Sequence, residues 1–199
     1  MELLPIRRAL LSATDKSGLA EFGAYLVENG VELVSTGGTY KTLEAAGLPV
    51  TPVSRVTGFP EILGGRVKTL HPHIHGGILA DKDDPAHMTT LKELGIAAFD
   101  LICVNLYDFA SAAAKQLDLR ASVEEIDIGG PCMLRAAAKN FHSILVLPSP
   151  EHYGRAVEEM RMNSMRVSLE FRREMAACTF AATSLYDRMI ADYLCSHKA

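Results

Sequence analysis

The 199-residue sequence has few cysteines, no long apolar run and no excess of positive charge. The four cysteines are Cys103, Cys132, Cys178 and Cys195. They are far apart and form no CxxC pair, which argues against a zinc site built from thiolates. The opening stretch MELLPIRRALLSATDK lacks the pattern of a signal peptide, and no segment approaches the ~18 apolar residues of a membrane span. These absences predict a soluble, reduced, cytoplasmic protein without a membrane segment.

The charge balance limits the kinds of partner that the chain can have. The formal net charge is -4 and the sequence pI is about 6.0, which argues against an extended nucleic-acid-binding surface. Any basic patch has to be local and suited to a small anion. Hydrophobic residues make up 48% and charged residues 22%, an ordinary globular composition. The length predicts one domain, residues 1–199, with a sizeable core.

Strand and helix patterns alternate along the chain. Short apolar runs that end in polar residues predict strands, and apolar residues at helical spacing predict helices. The predicted strands cover residues 7–14, 31–35, 49–53, 99–106 and 143–147. The predicted helices cover residues 15–30, 40–47, 85–94, 109–117, 132–140, 150–162 and 168–194. This alternation predicts an α/β fold, a parallel sheet flanked by helices, with a helical carboxyl-terminal part.

Residues 57–80 interrupt the alternation with glycines, prolines and three histidines at alternate positions. Their composition predicts a long ordered loop, and such loops in compact domains are usually functional. If the segment were extended, His71, His73 and His75 would share one face and could bind zinc or iron. Pro72 interrupts the segment, however, and no further carboxylate or thiol follows at ligand spacing. A structural or substrate-contacting loop without a metal is therefore favoured over a metal site.

Two short motifs, TDKSG and TGGT, each follow a predicted strand and precede a helix. Exposed backbone N–H groups, hydroxyls and the positive end of a helix make such a turn an anion site. The alternative is that the Thr and Asp side chains merely cap the helices. Arg66 and Lys68 from the long segment favour phosphate binding, because they add two cations. The carboxyl ends of parallel strands are also where open α/β sheets bind ligands.

Three further residues are candidates for chemistry. Asp127 lies in IDIGG just before a predicted helix, where a capping role is the default. Lys139 ends that helix and could complement its dipole, or could act as an acid or base if burial beside other cations lowered its pKa. Tyr107 could be an ordinary core aromatic. Without further information these residues predict an α/β enzyme acting on a small phosphorylated compound.

The chain resembles the IMP cyclohydrolase family in six motifs that occur in order: TDKSG, STGGT, TGFPEILGGRVKTLHPHIHGGIL, VNLY, VEEIDIGG and LRAAAKN. In that family the domain is the amino-terminal part of a bifunctional purine-biosynthesis enzyme that also carries a formyltransferase. The resemblance extends from about Ala9 to Tyr193. It implies a methylglyoxal-synthase-like fold. It also implies the dehydrating ring closure of 5-formamidoimidazole-4-carboxamide ribotide (FAICAR) to IMP, without a cofactor or metal.

The resemblance also implies roles for individual residues of this chain. Proton transfer is implied for Lys139, and neighbouring Arg66 and Lys68 are expected to lower its pKa. Lys68, Tyr107 and Asp127 are implied to orient the carboxamide and to stabilise charge on the adduct. The residues implied to border the nucleotide and its phosphate are Thr14, Asp15, Lys16, Thr36, Gly37, Gly38, Thr39, Arg66, Val67, Lys68, Thr69, Val104, Asn105, Asp127 and Ile128.

Two departures and two rival functions accompany the resemblance. Asp108 stands where the family usually has a proline, and Ala182 where it often has a histidine. The chain ends near the point where the family's second domain begins, so no transformylase domain is expected, and the resemblance suggests a homodimer.

Methylglyoxal synthase shares the fold, but the RVKTLHP and RAAAKN segments do not belong to it. A regulatory nucleotide-binding module also shares the fold, but it has no need for the long glycine-rich segment.

Overall fold

The computed structural model describes residues 1–106 and 118–196. Within these ranges the strands are β1 (Leu3–Pro5), β2 (Arg8–Ser12), β3 (Glu32–Ser35), β4 (Val50–Pro52), β5 (Leu101–Val104), β6 (Leu145–Leu147) and β7 (Arg166–Ser168). The helices are α1 (Leu19–Glu28), α2 (Gly37–Ala45), α3 (Val53–Thr57), α4 (Pro72–Leu79), α5 (Pro85–Glu93), α6 (Leu119–Glu124), α7 (Gly129–Lys139), α8 (Tyr153–Met162) and α9 (Leu169–Ser196). The predicted helix over residues 109–117 lies outside the described residues.

Five strands form a parallel sheet in the order β4-β3-β2-β5-β6. Each coincides with a predicted strand, and the α/β prediction is confirmed. The chain runs from β2 outward to β4 on one side and then returns through β5 to β6 on the other. The strand order therefore reverses between β2 and β5, and open sheets bind ligands in the crevice at such a point. Ser12 is paired with Val104, so the polar residues after both strands meet at one edge.

Helices cover both faces of the sheet, as a parallel sheet requires. Successive residues of β2 point to opposite faces. Leu11 belongs to the buried cluster that contains residues of α1 and α8, and Leu10 belongs to the cluster that contains residues of α4 and α7. Phe22 and Tyr153 stack with ring centroids 4.5 Å apart, which joins α1 to α8.

A second, antiparallel pair of strands, β1 and β7, is absent from the prediction. Each strand has only three residues, which is too short for an alternating pattern to be recognised. Next to this pair, Arg172 has no exposed surface. Its guanidinium donates to the carbonyl groups of Phe141, His142, Val167 and Met1. These hydrogen bonds tie the start of α9 to the amino terminus of the chain.

Residues 72–79 form helix α4, so the prediction of a loop is wrong for this part of the segment. His71 caps the helix, because its Nδ1 accepts a hydrogen bond from the His73 N–H. Gly77 allows the helix to approach the segment that precedes β5, since an added Cβ would lie 2.7 Å from Ala97 O. Glycine serves close packing here, and composition alone does not distinguish that use from a flexible turn.

The carboxyl-terminal part is helical, as predicted. Helix α9 covers 28 residues and packs along α7 and β6. Its last turns pass beside the segment that precedes α7. In the described part of the chain, no helix combines the length and the apolar character needed to cross a membrane.

Candidate active site

A cavity of about 910 Å³ opens at the carboxyl edge of the sheet, where the strand order reverses. The turn after β2, the first turn of α2 and the segment before α4 form one side, and the residues around the start of α7 form the other. Its walls include residues 12–14, 16, 36–39, 63–69, 105, 123, 124, 126–130 and 133. A cavity of this size is within the range of pockets that bind small organic ligands.

One end of the cavity is suited to an anion. Helix α2 begins at Gly37, so TGGT forms the N-cap and the first turn instead of the predicted tight turn, and the Thr36 side chain caps no N–H group. A Cβ added to Gly38 would lie 3.7 Å from Lys16 Nζ, and one added to Gly37 would lie 3.9 Å from Lys68 Nζ. Two ammonium groups and the positive end of a nine-residue helix therefore converge. We call this region the anion end.

Two buried side chains hold the anion end in place. Asn105 Oδ1 accepts the backbone N–H groups of Thr14 at 2.7 Å and Asp15 at 2.9 Å, and its Nδ2 donates to Asp15 O. Thr39 Oγ1 accepts the Ala13 N–H at 2.8 Å and donates to Ala13 O at 2.9 Å. Because these polar groups are already engaged, Asn105 and Thr39 act as supports. The backbone N–H of Thr39, in the first turn of α2, can still meet a ligand.

The Asp127 carboxyl lies on the opposite wall, immediately before α7. Its Oδ1 accepts the Gly130 N–H at 3.0 Å. Burial raises the pKa of this carboxyl, and hydrogen bonds from Gly130 and Gly129 and the charge of Lys68 oppose that rise. A Cβ on Gly130 would overlap Asp127 Oδ2, so only glycine leaves room for the carboxyl. The IDIGG motif therefore holds a half-buried acid within the field of Lys68.

Arg66 and Lys68 reach the cavity from the segment between α3 and α4. Arg66 Nε lies 3.1 Å from Glu124 Oε2, and Lys68 Nζ lies 2.9 Å from Glu61 Oε2. Both pairs are partly exposed to solvent, and such pairs contribute at most about 1 kcal/mol. An anionic ligand can therefore displace either glutamate at little cost. Sequence reasoning missed Glu61 and Glu124, because isolated glutamates carry no signal of a partner.

The structure brings most of the predicted substrate-binding residues together. Those that line the cavity are Thr14, Lys16, Thr36, Gly37, Gly38, Thr39, Arg66, Val67, Lys68, Thr69, Asn105, Asp127 and Ile128.

Two predicted binding residues do not line the cavity. Asp15 Oδ1 instead accepts hydrogen bonds from the Ser17 hydroxyl and N–H, which lower the pKa of that carboxyl. Val104 is 1% exposed and packs in the core, because its position in β5 points its side chain away from the edge. Tyr107 lies outside the described residues.

Lys139 lies at the other end of α7 from the cavity. The helix covers Gly129–Lys139, and a rise of ~1.5 Å per residue separates its ends by about 15 Å. Lys139 is exposed and does not line the cavity. The prediction that Arg66 and Lys68 lie beside it is therefore wrong within one chain. The physical reason is that a helix places its first and last residues far apart. The motifs IDIGG and LRAAAKN are close in the sequence, but they lie at opposite ends of α7.

The three histidines at alternate positions do not share one face. His71 precedes α4, and residues two apart on a helix are rotated by about 200°. His73 Nδ1 lies 3.1 Å from Val56 O, and burial lowers the pKa of His75. Within residues 1–106 and 118–196, no group of three or more His, Cys, Asp or Glu side chains is arranged to hold a metal ion. The observed contacts of this motif are those of helix capping and packing.

Two family models match this chain. The model of the MGS-like domain matches residues 18–132, more than half of the chain. The chain belongs to the MGS-like domain family. A second model, the AICARFT/IMPCHase bienzyme, matches residues 137–199. The MGS-like part thus contains most of the cavity, and the second matched segment contains α8 and α9.

Two curated relatives of this chain are longer proteins. It is 48% identical over 192 residues to the bifunctional purine biosynthesis protein PurH of Brucella ovis, and equally to that of Brucella abortus. The match covers 96% of this chain and 36% of each relative, so the chain spans about a third of the curated relatives' length. The crystal structure of ForH is 33% identical with a TM-score of 0.83, covering 95% of this chain and 99% of that chain. The methylglyoxal-synthase-like fold is confirmed.

Replacing Asp127 by Asn is expected to stabilise the protein at neutral pH. Burial raises the pKa of the carboxyl in the folded state, so the wild type loses stability as the pH rises through that pKa. Asn keeps an acceptor for the Gly130 N–H and does not ionise. The free energy of unfolding from urea titration should exceed that of the wild type at pH 7. The difference should shrink as the pH approaches the ordinary Asp pKa of about 3.9.

Asp118→Asn is the matched control for this measurement. Asp118 is exposed and caps α6 by accepting the Ala121 N–H at 2.8 Å, a role that Asn fills equally well. Its free energy of unfolding should change by less than about 0.5 kcal/mol at pH 7. An Asp127→Asn variant less stable than the wild type at pH 7 would contradict the interpretation that ionising this half-buried carboxyl is costly.

Proposed function

We propose that this chain is an IMP cyclohydrolase, which converts FAICAR to IMP and water in the last step of de novo purine biosynthesis. One observation carries the proposal: a single cavity has an anion end formed by Lys16, Lys68 and α2, and an acid, Asp127, on its opposite wall. FAICAR requires both features, because it has a 5′-phosphate and must lose a proton during ring closure. The similarity to the AICARFT/IMPCHase bienzyme and to PurH supports the assignment.

The reaction joins two groups already present on one substrate. The carboxamide nitrogen forms a bond to the formyl carbon and loses one proton, which gives a tetrahedral adduct. The former formyl oxygen then leaves as water, and the formamido nitrogen loses its proton as the ring C=N bond forms. A catalyst therefore has to accept protons from nitrogen, return them to oxygen and stabilise charge on the adduct.

The described residues fit these tasks. Lys16 and the first-turn N–H groups of α2 bind the 5′-phosphate. Asp127 accepts the carboxamide proton, because burial raises its pKa and makes it a stronger base than an ordinary aspartate. Lys68 interacts with Asp127 and approaches the start of α2, so it stabilises the adduct oxygen between the two ends. Ile128 and Val123 line the wall with apolar surface for the base.

The proposal includes a nucleotide substrate without a cofactor or a metal. It also includes a cytoplasmic location and one domain over residues 1–199. The role of Tyr107 in orienting the carboxamide stays a prediction, because this residue lies outside the described ranges.

Ring closure is tested by mixing the purified protein with FAICAR and following IMP by absorbance. Turnover is expected, and Asp127→Asn should lower kcat by about 10²–10⁴-fold, the usual contribution of general acid–base catalysis. Dialysis against a chelator should leave the rate unchanged. IMP binding without turnover would indicate a regulatory module instead. Methylglyoxal formed from dihydroxyacetone phosphate would indicate the synthase reaction.

Lys16→Met tests the anion end. Losing one charge-assisted hydrogen bond to phosphate costs roughly 1.5–3 kcal/mol, so IMP should bind about ten- to a hundredfold more weakly by calorimetry. Lys92→Met removes an exposed charge from α5, which contributes no residue to the cavity, and should bind IMP like the wild type. Inosine, which lacks the phosphate, should bind the wild type and Lys16→Met equally. Strong discrimination of inosine between them would place Lys16 at the base instead.

A homodimer is part of the proposal. In a dimer, Lys139 of one chain can reach the cavity of the other chain. Lys139 is exposed and about 15 Å from the start of its own α7. If Lys139 takes part in proton transfer, it therefore meets the substrate bound by a second chain. Each site of such a dimer would combine Asp127 of one chain with Lys139 of the other.

Mixing two inactive variants tests this arrangement. Asp127→Asn and Lys139→Met chains that exchange at random form mixed dimers with one intact site, so about a quarter of the wild-type activity should return. Light scattering checks that dimers form, and each variant alone is the control. No recovery despite proven exchange would place both residues in the same site of one chain. Full activity of Lys139→Met alone would remove Lys139 from the mechanism.

A further inference from the structure

The last turns of α9 pack against the wall of the cavity that carries Asp127. Tyr186 is 2% exposed and Tyr193 is 9% exposed. They lie seven residues apart, so they project from the same side of the helix. Around them is a small apolar cluster separate from the two that flank the sheet. Its other members are Leu106, Leu119, Ile126, Met189 and Ile190.

Each tyrosine forms a hydrogen bond to the wall. The Asp127 N–H donates to the Tyr186 hydroxyl oxygen at 2.8 Å. The Tyr193 hydroxyl donates to Ser122 Oγ at 2.7 Å, and Ser122 is fully buried. The first bond is made by the residue that bears the acid. The second is made within α6, five residues earlier in the chain.

We propose that Tyr186 is the positioning residue for Asp127, holding its main chain so that its carboxyl faces the cavity. This inference rests on the proposed function, because it assigns Tyr186 a part in catalysis only through Asp127. Nothing in the reaction requires Tyr186 to contact the substrate, and it does not line the cavity.

The need for such a support follows from the sequence after Asp127. Two glycines follow within three residues, and glycine restricts the backbone less than any other residue. The carboxyl is held on one side by the Gly130 N–H, which lies in the first turn of α7. The Tyr186 hydroxyl holds the other side from a different element, a 28-residue helix. Without it, the N–H of Asp127 would lose its partner, and the bonds from Gly129 and Gly130 would hold the carboxyl less firmly.

The charged and titratable groups around the carboxyl define what the loss of Tyr186 would change. Among the described residues, Lys68 from the segment before α4 and Tyr186 from α9 interact with Asp127. Lys68 lowers the pKa of the carboxyl, whereas burial raises it. Loosening the residues around Asp127 would admit water, so the pKa of Asp127 should fall toward its ordinary value.

The position of Tyr186 also relates the two matched segments. Asp127 belongs to the segment that matches the MGS-like domain, residues 18–132. Tyr186 belongs to the segment that matches the AICARFT/IMPCHase bienzyme, residues 137–199. The hydrogen bond between them therefore gives the second segment a specific task at the site carried by the first.

The test compares Tyr186→Phe with Tyr193→Phe. Each removes one buried hydroxyl from the same cluster, and only the first removes a bond to Asp127. Tyr186→Phe should lower kcat about ten- to a hundredfold while KM changes less than about twofold, because misplacing a catalytic group affects the chemical step. It should also shift the acidic limb of the pH–rate profile downward. Tyr193→Phe should lose similar thermal stability, with that limb unshifted.

Two NMR measurements separate this inference from the proposed function. A carbon-detected titration of the Asp127 carboxyl, assigned with Asp127→Asn, should give a lower pKa in Tyr186→Phe and the wild-type pKa in Tyr193→Phe. In the wild type the Asp127 amide should exchange slowly with solvent. The Asp127 pKa and the exchange rate of its amide can both be measured even if the protein does not turn over FAICAR. Equal kcat losses in the two variants, an unshifted Asp127 pKa or a rapidly exchanging amide would overturn the inference.

Discussion

The side chain of Asn105 forms the contact on which the rest of the site depends. It follows β5 and binds the backbone of Thr14 and Asp15, after β2, through three hydrogen bonds. These are the strands between which the strand order reverses, so one amide links the two sides of the crevice that opens there. An amide can do this because it presents an acceptor and donors together. Lys16, the residue after Asp15, is thereby placed at the start of α2.

The lysines of the cavity and its aspartate differ in their exposure to solvent. Lys16 and Lys68 remain partly open to solvent, and the carboxylate that pairs with Lys68 is held weakly enough for a phosphate to replace it. Asp127 is held by backbone hydrogen bonds in a half-buried position, where its ionisation lowers the stability of the fold. The role proposed for Asp127 as a base therefore opposes stability, as is common where a group is held with a raised pKa.

Much of the fold could be predicted because its patterns are local. The strands of the parallel sheet show as apolar runs, and TDKSG and TGGT were expected at one edge because the carboxyl ends of parallel strands share an edge. Helix α4 was mistaken for a loop, since Gly77 serves packing against Ala97. The strands β1 and β7 were missed because three residues give no periodicity. Lys139 was expected beside Arg66, although a helix of 11 residues separates it from the cavity.

The sequence by itself determined the strands of the parallel sheet, most of the helices and the residue types able to bind an anion, because these depend on spacing over a few residues. Only the tertiary structure decided which of those residues meet. It brought Lys68 near Asp127, and it placed Val104 in the core and Lys139 at a distant surface. It also joined Asp127 to Tyr186, 59 residues away along the chain. No local pattern encodes such a contact, because it arises from the packing of one whole helix against the wall of the cavity.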